Sequence, residues 1–530
     1  MAVSTEQALP SWTDGSFTRR LVSVDHKSVG VLYLLTAGFF LLGLGIARLL
    51  SFIDFAQAPG DLLDDFATFQ LLSMQATSAL FLVGLPATLG LVTYVVPLQI
   101  GARGMVHPRL NAAGYWLYLS GAALMLVSYA SGDPGADSIA APLSPTGRQV
   151  WLLGLVTASA GAISTSLSLL QTIVTRRAPG MTTARTPLFT LAGGAYAIVL
   201  VFGLTIVGVA AAVFLIDDGS ARSFFTYDAA ETAAFYQTFS WFVGHPLTYA
   251  LFLPIVGMVS EAVAVRGRWA AGARSLVLAS IAAVAALTLL IGLYHLVADP
   301  LGGTLANGIA YAGFILVGAL VPAAVAWILQ LGPFRQPPDP IWLLTAAMLV
   351  LLVIGTVLGF ALGFPGDYDA DSGSYHLAAE FEGTLGGTAI LGLAVGVLYF
   401  FPKLSGRLFD EQAARGAAAL LSVGMILTML GQHIAGQGDL VSFSSAAKTG
   451  SALALAGYVL VFLGGAAFLA GALMSWRRGT RVGNDPWLGD TLEWYTESPP
   501  PPGNFDRLPP IESERPLHDL RVRLARGRYG

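Results

Sequence analysis

Twelve long apolar stretches run through the chain, at roughly 29–53, 68–100, 112–131, 149–175, 187–217, 234–265, 273–298, 303–331, 341–364, 375–402, 415–436 and 449–476. A helix needs about 20 mainly apolar residues to cross a bilayer core. Each stretch therefore predicts one spanning helix, and the expected fold class is all-α, a polytopic membrane bundle of twelve transmembrane helices. The connections are short and marked by Gly, Pro, Asp or Arg, as at Arg103-Gly104, Pro179-Gly180 and Gly332-Pro333. The first apolar run starts near Val29 and continues for about 25 residues, longer than the core of a cleavable leader, so no signal peptide is expected.

The charges between the stretches test the count. Arg19, Arg20 and Lys27 precede the first. The loops after even-numbered stretches carry Arg103 and Arg109, then Arg176, Arg177 and Arg185, then Arg266, Arg268 and Arg274, then Arg335, then Lys403, Arg407 and Arg415; Arg477, Arg478 and Arg481 follow the twelfth. The loops after odd-numbered stretches hold Arg148, Arg222 and Lys448 against aspartates such as Asp61, Asp64, Asp65, Asp367, Asp369 and Asp371. By the positive-inside rule both termini are expected in the cytoplasm, with the bundle in the plasma membrane. An odd number of spans would destroy the alternation.

Composition agrees. Of 530 residues 55% are hydrophobic and 11% charged, against roughly 25% charged in soluble proteins, so too little polar surface exists to solvate a body of this size in water. The formal net charge of −4 gives no argument for a nucleic-acid partner. Absence of cysteine excludes disulfides, thiolate metal sites, iron–sulfur clusters and thioether-bound haem. Three regions are expected: a cytoplasmic N-terminal segment 1–28, the membrane domain 29–476, and a Pro-rich cytoplasmic tail 477–530, extended and lying on a surface.

Several motifs together resemble subunit I of the haem–copper oxidases, the catalytic chain of cytochrome c oxidase. Asp25-His26-Lys27-Ser28-Val29-Gly30 opens the first span; Val96-Pro97-Leu98-Gln99-Ile100-Gly101-Ala102 closes the second. Arg177-Ala178-Pro179-Gly180-Met181-Thr182 precedes the fifth, and the sixth carries Trp241-Phe242-Val243-Gly244-His245-Pro246-Leu247-Thr248-Tyr249. The tail reads Asp485-Pro486-Trp487, Thr491-Leu492-Glu493-Trp494, Ser498-Pro499-Pro500 and Asn504-Phe505. The matches follow the family's order from residue 25 to about 520. The resemblance implies two haems and a copper held in the bundle, oxygen reduction with proton pumping in an aerobic respiratory chain, cytochrome c as electron donor, and other oxidase subunits as partners.

The ligand positions that the resemblance implies depart from the family. Six intramembrane histidines are expected; the chain has seven in all, of which His26, His107 and His518 lie at span ends, in a loop or in the tail. Gln75 takes the axial-histidine position of the low-spin haem on the second span, where an amide oxygen is a poor iron ligand; Met74 points about 100° away around the helix. On the tenth span the two haem-ligand positions are Glu380 and Glu382, and carboxyl groups at that depth are costly unless paired or functional. His245 is a retained copper-ligand position, with Tyr249 one turn on as the tyrosine joined to it in the family and the candidate catalytic residue. On the seventh span His295 is retained and Tyr294 is substituted. His245, His295 and Glu380 form a donor set of a kind that binds divalent metal elsewhere, so residual metal at His245/His295 stands as an expectation beside that of shape-preserving remnants. Proton-route positions read Gly104, Leu247 and Ala326, and Asp439-Leu440 follows Gln432-His433-Ile434-Ala435-Gly436 where paired arginines would hold haem propionates. His376 lies one turn before Glu380, where pairing would stabilise the ionised carboxyl, but an interfacial histidine near the span start is the favoured expectation.

Three functions remain open: a redox subunit with altered cofactors; a non-catalytic paralogue serving assembly, structure or regulation beside a complete subunit I; and a proton or solute pathway through the vacated haem space using Glu380, Glu382 and His376. The degenerate ligation favours the second for mechanism.

Overall fold

The computed structural model describes residues 21–57, 62–130, 145–219, 229–267, 272–297, 306–331, 339–362, 383, 385–436 and 444–526. Its helices in chain order are α1 (His26–Phe55), α2 (Asp65–Thr77), a π-helical segment (Ser78–Gly84), α3 (Leu85–Gln99), α4 (Pro108–Val127), α5 (Pro145–Thr175), α6 (Leu188–Gly219), α7 (Ala229–Arg266), α8 (Ala273–Val297), α9 (Ala306–Leu331), α10 (Pro340–Leu362), α11 (Gly387–Ser405), α12 (Glu411–Gly436), α13 (Ser445–Arg478) and α14 (Pro516–Arg526). With α2, the π segment and α3 forming one continuous rod, helices α1 to α13 make the twelve expected spans.

The starts of these helices follow local chemistry. The Asp25 carboxylate accepts the Lys27 amide at the head of α1, 2.9 Å, and Asp64 accepts from Ala67 at the head of α2, 2.7 Å, each satisfying an amide that the first turn leaves without a partner. Pro108, Pro145 and Pro340 occupy first positions, where a missing N–H costs nothing. Gly406 ends α11 in a left-handed conformation (φ 71°) that other residues adopt at a cost.

Burial separates centre from rim. The most apolar stretches of the second, sixth and tenth of these helical rods stand apart: 94% of that in α2–α3 and 83% of those in α7 and α11 is buried, against 28% for α6 and α13. The second, sixth and tenth spans are therefore interior, while Phe39, Ile46, Phe202, Leu290, Val353 and Leu473 point outward as lipid-facing side chains. Neighbours in sequence pack as neighbours in space from α4 to α9; α10 touches α11 and α12, and α13 returns to α1, closing the ring.

Two pairs of helices approach until backbone meets backbone. A side chain at Gly121 or Gly161 would fall on the amides of Ala158 and Tyr118, so α4 and α5 pack through them; Gly431 and Gly450 do the same for α12 and α13. This is the close approach that small residues permit where lipid supplies no hydrophobic drive between helices.

The chain beyond α13 sits deeper than the extended surface tail expected. Trp494 is 1% exposed and Asn504 is fully buried. Asn504 adopts φ 63°, a region asparagine tolerates; its amide donates to the Ala102 carbonyl (2.8 Å), and its Oδ1 accepts from Lys27 Nζ (2.8 Å). The aromatic residues that a Pro-rich strap would lay on a surface instead plug the end of the bundle: Trp487 and Trp494 donate to the carbonyl and hydroxyl of Tyr399, 2.9 and 3.0 Å. The start of α1 and the C-terminal segment thus share one end of the molecule, as an even number of spans requires.

Candidate functional site

The interior of the second span carries the first position of interest. Gln75 is 2% exposed. Its Nε2 donates to the Ala47 carbonyl (3.0 Å) and to Ser51 Oγ (2.7 Å), and its Oε1 accepts from Arg48 (3.3 Å). All three partners lie on one turn of α1, and both amide hydrogens and the oxygen are engaged there. Arg48 also lies over the Phe52 ring, 5.7 Å from its centroid. Just beyond, the helix widens into the π segment. Such bulges free carbonyls from the regular ladder; Tyr118 Oη donates to that of Phe81 at 2.5 Å.

On α7, Pro246 to Tyr249 are buried or half-buried, and Tyr249 is fully enclosed. His245 lies one turn before it on the same helix; its side chain, and those of Tyr294 and His295 on the last turns of α8, are outside the described residues, as are His376, Glu380 and Glu382 altogether. The backbone still fixes depth. Helices α7 and α8 pack together across a short connection, so they run antiparallel. His245 lies 21 residues before the end of α7 and His295 lies 22 residues after the start of α8. At about 1.5 Å per residue the two positions stand at the same level. His433, on α12, is 4% exposed.

A second concentration of polar chemistry lies where the C-terminal segment closes the bundle. Glu261 of α7 and Glu493 of the segment are both buried and both accept from Nε2 of Gln99, at 2.7 and 3.0 Å. Gln99 Oε1 accepts from Thr190, 2.8 Å; Glu261 Oε1 accepts the Phe189 amide, 2.9 Å; Glu493 Oε1 accepts from Thr491, 2.7 Å. Lys403, fully buried near the end of α11, donates to the carbonyls of Thr496 (2.8 Å), Asn484 (3.2 Å) and Glu497 (3.2 Å), with its ammonium 5.3 Å from the Trp494 ring centroid. Burial pushes the Glu493 carboxyl above its ordinary range against the pull of its hydrogen bonds and of Lys403. Burial likewise raises Asp485, opposed by the Gly489 amide and Arg521. For Asp25 burial also acts upward, but the charges of His26 and Lys27 outweigh it and the net shift is down.

Comparison with known proteins decides the ancestry. The profile of the family described as cytochrome c and quinol oxidase polypeptide I matches residues 28–468. The chain belongs to that family. A probable cytochrome c oxidase subunit 1-beta of Nocardia farcinica is 33% identical, the match covering 96% of this chain and 89% of that protein. Cytochrome c oxidase subunit 1 of Bacillus subtilis is 29% identical over 94% of this chain and 82% of its own length. A chain from a cryo-EM structure of a heme-copper terminal oxidase dimer superposes with a TM-score of 0.64 at 16% identity, covering 88% of this chain and 85% of that one, a likeness of fold. The motif-based expectation of family and fold therefore stands, and the chain is a multi-pass membrane protein.

Membership of the oxidase subunit I family implies haem and copper, so the fit of the residues present is the next question. At the second-span position Gln75 does not fit as an iron ligand: its oxygen accepts from a guanidinium and its nitrogen bonds to α1. The buried Glu261, Glu493 and Lys403 were not singled out in sequence, since charges at span ends read as interfacial; only the position of Glu493 inside the Thr491-Leu492-Glu493-Trp494 motif hinted at it.

Proposed function

We propose that this chain is a subunit I homologue of the aerobic respiratory chain in the plasma membrane, that it keeps the oxidase scaffold but not ordinary ligation of the low-spin haem, and that it serves as a structural or assembly partner of other oxidase subunits or of a complete subunit I. The supporting observation is the engagement of Gln75 by Ala47, Arg48 and Ser51. Loss of even a supporting partner lowers metal affinity by about 10- to 100-fold, and replacing a ligand by an amide held elsewhere costs more. The clustered arginines after even-numbered spans support cytoplasmic termini. Cytochrome c would then be oxidised by a complete neighbour. The test is affinity purification of the tagged chain from native membranes: a complete oxidase should co-purify, and the chain stripped of it should consume no oxygen with reduced cytochrome c. Turnover by the isolated chain would refute the proposal.

One observation favours a second reading at the other ligand set. The equal depth of His245 and His295, with Tyr249 enclosed beside the first, supports a retained metal position there with Glu380 as third donor. Metal analysis of the purified chain tests it; no stoichiometric divalent metal or copper would end it. The pathway through Glu380 and Glu382 predicts proton flux in vesicles that Glu380→Gln abolishes.

A further inference from the structure

The carboxyl groups of Glu261 and Glu493 meet on a single nitrogen. Both accept from Gln99 Nε2, at 2.7 and 3.0 Å, so the two oxygens lie within about 6 Å of each other. Glu261 has both oxygens engaged, one by Gln99 and one by the Phe189 amide. Glu493 differs: Oε1 accepts from Gln99 and Thr491, while Oε2 is buried with no hydrogen-bond partner. Among the described residues several cations at this end pair with other carboxylates, Lys27 with Asp25 (3.0 Å), Arg274 with Glu514 (2.9 Å), Arg515 with Asp490 (2.6 Å) and Arg521 with Asp490 (2.7 Å) and Asp485 (3.2 Å), while Lys403 donates to backbone carbonyls. Neither Glu261 nor Glu493 has such a partner within ion-pair distance.

Two ionised carboxylates sharing one donor, with one buried oxygen lacking a protein partner among the described residues, is a costly charge state. A single proton removes both the repulsion and the bare charge. We propose that Glu261 and Glu493 form a one-proton site, with the proton carried by Glu493, and that its occupancy sets how firmly the C-terminal segment seats on the bundle. The proton comes from bulk solvent at the end where the segment docks, and its loss leaves a negative pair straddling the joint between α7 and the segment. The groups that face the pair are Gln99 from α3, Phe189 N–H and Thr190 from α6, Arg274 from α8, Tyr399 and Lys403 from α11, and Asp485 and Thr491 from the segment itself. Toward ionisation of Glu493 act the hydrogen bonds from Gln99 and Thr491 and, after them, the charge of Lys403. The inference is independent of cofactor content.

The sign is fixed by the direction of the Glu493 shift. A carboxyl held above its ordinary value when docked favours docking below that value and weakens it as pH rises through the docked value. Hydrogen exchange of residues 485–505 in the lipid-embedded full chain, corrected for intrinsic rates, should show protection falling by about tenfold or more between about pH 5 and about pH 8. Glu493→Gln, which keeps the acceptor for Gln99 and Thr491 without a titrating charge, should flatten that dependence at the protected level, and Glu261→Gln should reduce it. Infrared difference spectra across the same range should contain a protonated-carboxyl band that Glu493→Gln removes. PH-independent protection in the wild-type chain, or an unchanged pH profile in Glu493→Gln, would overturn the proposal. If Glu493→Gln fails to accumulate, the infrared band and the Glu261→Gln profile decide it.

Discussion

Replacing Lys403 by Met tests whether the C-terminal segment is held by the buried ammonium. Three carbonyls lose their donor. That of Asn484 keeps the Ser498 hydroxyl at 3.2 Å, so the damage falls on Thr496 and Glu497, whose carbonyls accept Lys403 at 2.8 and 3.2 Å. A buried polar group left without its partner costs about 1–3 kcal/mol, giving about 2–6 kcal/mol for the two. Against this, Met needs no desolvation, and removing a buried charge with its burial cost offsets part of the loss. We take about 3 kcal/mol as the net, which is roughly 100-fold in the local opening equilibrium. The assay is hydrogen exchange at amides bonded within the segment, including Trp494 to Thr491, Tyr495 to Leu492 and Asn504 to Pro501, with α12 and α13 as internal reference. Exchange within about threefold of wild type would mean that the aromatic plug and Lys27 suffice to seat the segment, and that Lys403 contributes little.

The remaining predictions concern other parts of the molecule. Gln75→Leu removes two donated hydrogen bonds to α1 and should lower stability by about 1–3 kcal/mol, read as a lower melting temperature in nanodiscs, without altering visible absorption; a lost absorption band would contradict the reading of Gln75. Gly431→Val drives a side chain into the α13 backbone and should prevent accumulation of folded protein, whereas Gly465→Ala, with open space where its Cβ would stand, should be neutral; equal effects in a thermal-shift assay would refute the packing account. Asp25, held below its ordinary value of 3.8, supplies stability that is present above that value and lost as pH falls through the lower folded one. The stability gap between wild type and Lys27→Met should therefore be present above about pH 4 and narrow as pH falls below it; a gap that stays constant into acid would contradict this.

The spans were legible because each is longer and more apolar than any soluble helix needs to be, and because arginine alternates from loop to loop. Gly431 and Gly450 were readable as small residues suited to tight packing, but which helices they join depends on pairings far apart in sequence. Gln75 was legible as an odd residue at an axial position; its engagement by Ala47, Arg48 and Ser51 was not, since a helix turn 24 to 28 residues upstream had to be brought alongside. The π segment left no local mark in Ser78–Gly84, where any apolar run continues the helix. The burial of Glu261, Lys403 and Glu493 was hidden for a different reason. Glu261 and Lys403 lie near span ends and Glu493 in the tail, where a charge is ordinarily solvated; the return of the tail over that surface buries all three. The Pro-rich composition of the tail spoke for an extended path, while its two tryptophans carried the contrary information that it would be buried.

The central claim is that the scaffold of an oxidase subunit I persists here around an axial position that no longer ligates iron. It is tested most directly by the haem-to-polypeptide ratio of the natively purified chain, measured from the reduced-minus-oxidised absorption spectrum against protein determined by amino-acid analysis. The account predicts no stoichiometric low-spin haem. One low-spin haem per chain would contradict the account, and loss of that haem in Gln75→Leu would show that the second span still ligates iron.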